Sequence, residues 1–256
     1  MNLLNRVRKK AIRTFRNVLE DKEVDKIFCP PSVYHYHIRK TAGSSINLAF
    51  FDNYVNEDLD EFYQKLTKKY NGRLISNKAI IVGWNDVLIN KGKFNYAFSH
   101  LPMHQLQLPS HVFKFTCLRD PVKRVVSHYN MLMYYQENDP AHPVFKGEGA
   151  WLGNSFEDFL DNLPVHHLKN QLYMFSDILD SSEAFDNIMK LDHIMFTENF
   201  TSDLKKLETK LSLQLPLLKI KSYGYKADIP KNSLSLLREK LKDEYLLLEK
   251  IKSCLK

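Results

Sequence analysis

No apolar run in this 256-residue chain approaches the roughly 20 residues that a membrane-spanning helix requires, and the N-terminus has no uninterrupted apolar core of the signal-peptide kind. Those absences lead us to expect a soluble, cytoplasmic protein. Cysteine is scarce: Cys29, Cys117 and Cys254 are odd in number and far apart, with no CxxC pair and no Cys/His cluster. That spacing excludes the usual zinc motifs, and a reducing compartment fits such cysteines best. Eight glycines and ten prolines are too few for a long disordered or fibrous segment. Also missing are internal repeats, low-complexity tracts and the RNP, zinc or helix-turn-helix signatures of nucleic-acid readers. No nucleic-acid partner is expected.

What is present suits one folded domain. Hydrophobic residues at 44% and charged residues at 26% are ordinary for a globular chain, and the length allows a sizeable core. The 37 Lys and Arg outnumber the 30 Asp and Glu, and the resulting +7 calls for an acidic partner: nucleic acid, an anionic membrane, a phosphorylated nucleotide or a polyanionic glycan. Charge alone does not choose among them. In residues 2–20, Leu4, Val7, Ile12, Phe15, Val18 and Leu19 approximate a helical stripe beside a basic face. We expect residues 1–28 to form a basic amphipathic helix packed on a domain of residues 29–256, with peripheral membrane contact as the alternative.

Strand signals alternate with helix signals along that domain. Residues 33–38 are β-branched and aromatic, and a helix begins near Ser44 or Ser45 with Ile46, Ala49 and Phe50 at spacings of three and four. Residues 52–92 are polar and mixed, with one helix near 59–70 and an apolar run at 79–82, and read as an insertion. Further strands are expected at 94–99, 112–118 and 193–196, and further helices at 156–163, 167–175, from Thr201, and over 232–256. Residues 136–154, carrying Pro140, Pro143 and three glycines, read as a long loop. In the helix after Pro121, Val122, Val125, Val126, Tyr129 and Leu132 make the buried stripe, while Lys123 and Ser127 point away from it. The pattern predicts a single α/β domain with a central, mainly parallel sheet flanked by helices.

The chemistry concentrates at Arg39-Lys40-Thr41-Ala42-Gly43-Ser44-Ser45. A loop entering a helix N-terminus gathers unpaired backbone N–H groups and the positive end of the helix dipole, which together bind phosphate-like anions. Lys40 adds a mobile charge, the hydroxyls add donors, and Gly43 lets backbone approach an oxyanion. An ordinary helix cap with a solvated lysine reads the same string equally well. The loop is not a Walker A motif, since GxxxxGK[ST] is absent and the lysine precedes the glycine. Nor does the sequence show an acidic cluster placed to hold the magnesium of phosphoryl transfer.

The string His37-Ile38-Arg39-Lys40-Thr41-Ala42-Gly43-Ser44-Ser45, with Leu118-Arg119-Asp120-Pro121-Val122-Lys123-Arg124-Val125-Val126-Ser127 about 75 residues later, resembles the two PAPS-binding motifs of the Golgi carbohydrate sulfotransferases. The 2-O-sulfotransferase-like branch is the most similar. The resemblance implies a P-loop-like nucleotide-binding fold and PAPS (3′-phosphoadenosine 5′-phosphosulfate) as donor, with no metal. It also implies that Arg39, Lys40, Thr41, Gly43, Ser44 and Ser45 surround the 5′-phosphosulfate, and that Arg119 and Ser127 take the 3′-phosphate. Lys40 would neutralise charge on the leaving oxygen. Ser99-His100-Leu101-Pro102, Lys169-Asn170-Gln171-Leu172, Glu198-Asn199-Phe200 and Asp243-Glu244-Tyr245 resemble further family segments, and residues 219–226 fall where a basic loop closes over the nucleotide. Ala42 and Ser44 stand where many members have Gly and Thr, and Tyr173 where a basic residue is common.

An acceptor hydroxyl needs a base, and histidine suits that task near neutral pH. His100, following a strand at the edge where ligands of open α/β sheets collect, is the catalytic candidate, with His104 in reserve. His35, His37, His166 and His167 read as core or surface residues. Trp84, Trp151, Tyr134 and Tyr135 are available to stack on a sugar or to pack. The expected reaction moves a sulfuryl group from PAPS to a hydroxyl acceptor, a glycan by resemblance. A binding module without catalysis and a phosphotransferase using ATP are the competing readings.

Overall fold

The computed structural model describes residues 24–68, 72–77, 79–218 and 225–255. The expected helix over residues 2–20 lies outside them, as do residues 219–224 of the basic loop. Strand β1 (Val33–Tyr36) is buried throughout and leads by a short loop into helix α1 (Gly43–Tyr54). Helix α2 (Leu59–Lys68) precedes the antiparallel pair β2 (Arg73–Ser76) and β3 (Ala79–Gly83). Next come α3 (Asp86–Lys91), β4 (Tyr96–Ser99) and β5 (Phe113–Leu118). Helices α4 (Pro121–Asn138), α5 (Pro143–Glu148), α6 (Phe156–Asn162), α7 (Val165–Leu168), α8 (Asn170–Tyr173) and α9 (Ser181–Ile188) then run up to β6 (His193–Phe196). The chain closes with α10 (Phe200–Leu211), α11 (Lys231–Lys240) and α12 (Lys242–Cys254).

The six strands form one sheet in the order β2-β3-β4-β1-β5-β6, parallel except at the β2/β3 pair. Such a sheet must be covered on both faces, and side-chain alternation divides its residues between two cores. Tyr34, Tyr36, Val82, Ala97 and Leu118 pack with Leu172, Phe175, Ile188, Leu247 and Ile251 on one face. Val33, Ile81, Tyr96, Phe98, Phe115 and Cys117 pack with Ile46, Phe50, Phe51, Leu204 and Leu207 on the other. Each fully buried Leu, Ile or Phe among these contributes about 1.5–3 kcal/mol. A third, helical core joins α4, α6 and α11 through Val125, Tyr129, Leu132, Phe156, Phe159 and Leu237.

The expected α/β architecture with a central, mainly parallel sheet is what the chain adopts. Some details differ, and the helix expected over 232–256 is two helices broken at Leu241. Residues 52–92 are integral, since they supply β2 and the fully buried β3, whose apolar run is too short to betray its partner. The expected long loop at 136–154 instead begins with the last residues of α4 and contains α5, which starts on Pro143 at its first turn. The expected helix at 167–175 is two short helices broken at Lys169, where φ is −102° and ψ 47°. Finally, Val122 and Val126 of α4 are only half-buried, whereas Arg124 and His128 are enclosed, because α4 is packed on more than its apolar stripe.

The central strand β1 lies between β4 and β5, with Tyr36 in register with both Ser99 and Thr116. The residues that follow each strand, His37 onward, His100 and Arg119, therefore leave the sheet together at one edge, beside the point where strand order reverses. This is where ligands of open α/β sheets sit.

Candidate active site

The loop after β1 is shaped by two non-glycine residues in the left-handed region, Lys40 at φ 66° and Ala42 at φ 64°. Ala42 then accepts the amide of Ile46 as α1 begins, with no side chain capping the helix N-terminus. Backbone held this way is costly by about 1–3 kcal/mol per residue and persists only where the surroundings enforce it. Enforcement comes from beneath. Thr41 is fully buried and donates its hydroxyl to the Ile38 carbonyl at 2.9 Å, so it braces the loop and does not face the cleft. Gly43 is dictated by close approach: a Cβ there would stand 1.9 Å from Cδ2 and Nε2 of the buried His37 ring.

Two residues of α8 hold this loop and the one after β5. Asn170 Oδ1 accepts the Arg39 amide at 3.2 Å, and Gln171 Oε1 accepts the Arg119 amide at 2.8 Å. Glu244, fully buried on α12, accepts from the Gln171 amide at 2.7 Å and from its side-chain Nε2 at 3.2 Å. Its charge is answered by the enclosed Arg124, whose Nη1 also donates to the His167 carbonyl. The second motif is steadied further: Asp120 caps α4 through the Lys123 amide, receives the Tyr245 hydroxyl at 3.0 Å, and offers its own amide to Glu198. The Lys169, Glu198 and Asp243-Glu244-Tyr245 segments thus act by holding the two loops. Arg119 Nη1 crosses to the Lys40 carbonyl at 2.9 Å and joins them directly.

Above these loops opens a cleft of about 810 Å³. Arg39, Lys40, Gly43, Ser44, Ser45, His100, Arg119 and Ser127 all line it, together with Lys123, Asn130, Tyr63, Tyr225 and Lys226. Of the nominated residues only Thr41 turns away. Its described lining carries five Lys or Arg side chains and no carboxylate, so its field favours an anion. Burial and the Arg119 and Arg39 charges lower the Lys40 pKa to about 8, against a smaller opposing pull from Glu148. Lys40 Nζ rests 3.4 Å from Met131 Sδ.

His100 Nδ1 lies 2.6 Å from the His37 carbonyl oxygen. A carbonyl only accepts, so Nδ1 carries the proton and Nε2 keeps the lone pair. Burial, followed by the Arg39 charge, lowers the His100 pKa to about 4, which leaves the ring neutral near pH 7. His104 is placed elsewhere, with Nε2 3.2 Å from Asp177 and its ring against Tyr173. His35 is a core residue stacked on Phe115, as expected, while His37 is buried yet also borders the cleft. Trp151 packs on His167 and Tyr135 on His142, whereas Trp84 remains 37% exposed against Tyr63.

One group escaped sequence reasoning. Glu148, at the end of α5, pairs with Arg39 through Oε1 and accepts from His128 Nε2 through Oε2 at 2.8 Å. Burial alone would raise its pKa, but the His128 hydrogen bond and the Arg39 charge bring it down to about 2. A lone glutamate in a Gly- and Pro-bearing stretch gives no periodic signal, so nothing in the sequence marked it.

Beyond this geometry, the chain matches the sulfotransferase family over residues 3–246. It belongs to the sulfotransferase family. No curated protein matches this sulfotransferase. Among solved structures, mouse sulfotransferase SULT7A1 complexed with PAP is similar at 13% identity with a TM-score of 0.31, over 85% of this chain and 68% of that one. Among the described residues, no helix of the sulfotransferase is long and apolar enough to cross a membrane.

Proposed function

We propose that this sulfotransferase moves the sulfuryl group of PAPS to a hydroxyl of a carbohydrate and releases adenosine 3′,5′-bisphosphate. The observation that carries the reading is the meeting of two loops suited to phosphate in one cationic cleft, joined by the bond from Arg119 Nη1 to the Lys40 carbonyl. Neither loop alone distinguishes a nucleotide from a simple anion. Together they suit a ligand with phosphate at both ends.

The residues present fit such a donor. Gly43, Ser44 and Ser45 open α1 toward the cleft, where backbone amides and the helix dipole favour an oxyanion. Arg119 and Ser127 line it on the side of α4, and arginine suits a forked contact to phosphate. When bound, PAPS supplies an electrophilic sulfur attached to a phosphate leaving group. His100 Nε2 takes the proton of the acceptor hydroxyl as the new O–S bond forms. Lys40 meets the negative charge that builds on the bridging oxygen as the old S–O bond breaks. A carbohydrate acceptor is favoured by the motif resemblance and by Tyr63, which lines the cleft with the Trp84 ring against it. The free cysteines support placing the reaction in a reducing compartment such as the cytoplasm.

A comparison of labelled PAPS with labelled ATP, with and without chelator, over a panel of glycans tests this. Transfer from PAPS that survives chelation is expected. Binding of PAPS without turnover on any hydroxyl would leave a binding module, and transfer from ATP that chelator stops would leave a phosphotransferase.

A further inference from the structure

The mechanism above uses Lys40 and His100 but not the carboxylate behind them. Glu148 has a 10% exposed side chain, and each of its oxygens is committed to a different partner: Arg39 from the loop after β1 and His128 from α4. Arg39 is itself fixed at its amide by Asn170. We propose that Glu148 is a positioning residue for sulfuryl transfer: it pins the Arg39 guanidinium to the wall formed by α4 and α5 and so holds the loop on which Lys40 stands. The inference rests on the sulfotransferase reading of the cleft.

Among the described residues, several charged or titratable groups surround this carboxylate. Arg39 and Lys40 face it from the loop, His128 from α4, His167 from α7 and His100 from the end of β4. Lys40 in turn faces Arg39, Arg119 and Glu148, with His37 and His128 nearby. Among these described groups Glu148 is the one anion. Burial and then the neighbouring Arg119 and Arg39 charges lower the Lys40 pKa, and Glu148 opposes them. Loss of the Glu148 charge therefore makes Lys40 give up its proton at lower pH, while loss of the Arg39 charge does the reverse.

Opposite signs make a discriminating experiment. In wild type, kcat/KM for PAPS reports the free enzyme and falls on the alkaline side as Lys40 deprotonates. With Glu148→Gln, that limb is expected to move down by about one pH unit, and with Arg39→Gln to move up, as removal of a neighbouring charge dictates. Glu148→Gln also releases Arg39 to compete for the donor anion, so kcat is expected to fall more than KM rises. Calorimetric titration of adenosine 3′,5′-bisphosphate across the same pH range gives a readout independent of turnover and should show the same two displacements. Limbs that stay in place, or move in the same direction, in two variants that still bind the bisphosphate would overturn the inference. If Glu148→Gln does not fold, Arg39→Gln alone decides, since an unmoved or lowered limb contradicts the proposed charge balance. Failure of wild type to bind the bisphosphate at any pH would instead refute the sulfotransferase reading of the cleft on which the inference stands.

Discussion

Replacing Gly43 by alanine adds one methyl group at a place where the structure has no room. The new Cβ would meet His37 Cδ2 and Nε2 at 1.9 Å and Cε1 at 2.8 Å. Ordinary carbon contacts begin near 3.5 Å, so the ring must withdraw by about 1.6 Å. It has nowhere easy to go: His37 is 6% exposed, stacks on His35 at 5.2 Å and stands 4.4 Å from the His100 ring. The carbonyl of the same residue fixes His100 Nδ1. Overpacking of this kind costs about 1–3 kcal/mol, which for a chain of this size lowers Tm by roughly 2–12 °C. A displacement near 1 Å at His100, the proposed base, and at the loop after β1 is expected to reduce kcat about 100-fold. Thermal unfolding and transfer from labelled PAPS measure the two effects. The double variant Gly43→Ala/His37→Ala removes the ring, and the stability cost of the methyl group should largely vanish in that background. A Gly43→Ala protein with wild-type Tm and kcat would show that the loop and His37 are not locked as described.

Five further outcomes follow. Lys40→Ala should lower kcat by about 10²–10³-fold, the usual loss on removing a group that stabilises transition-state charge, as single-turnover transfer will show. His100→Ala should abolish transfer while retaining bisphosphate binding by calorimetry, and unchanged turnover would remove it as base. Glu244→Ala strands the Arg124 charge and the Gln171 amide, and denaturant unfolding should show a loss of about 3–5 kcal/mol. For pH, the proposed mechanism needs His100 neutral and Lys40 charged, so kcat/KM should rise as His100 deprotonates near 4 and fall as Lys40 deprotonates near 8. Because the Glu148 pKa is depressed to about 2 on folding, its contribution to stability is present above the ordinary carboxylate pKa and is lost as pH falls toward 2.

The features legible in the sequence were those written in contiguous residues. A β-branched and aromatic run followed by a short polar loop was enough to place Lys40 at a sheet edge, and the repeat of that pattern at Arg119 placed the second loop beside it. What was not legible depends on partners far apart in the chain. The β3 strand gains its identity from β4 and β2, so residues 79–82 read only as an apolar run. Thr41 resembled its neighbours in chemistry, and only the turn at Ile38 shows that its hydroxyl is spent beneath the loop. Helix periodicity gave Val125, Tyr129 and Leu132 correctly, but could not show that α4 packs a second face around Arg124 and His128. Glu148 finds its hydrogen-bond partners 109 and 20 positions away, which no local pattern records.

The most direct test of the proposed two-phosphate cleft is calorimetric titration of wild type and Arg119→Ala with adenosine 3′,5′-bisphosphate and with AMP, which lacks the 3′-phosphate. Wild type should bind the bisphosphate much more tightly than AMP, and Arg119→Ala should lose most of that preference. Equal binding of the two nucleotides by wild type would contradict the assignment of the second loop to the 3′-phosphate and, with it, the reading of the cleft as a PAPS site.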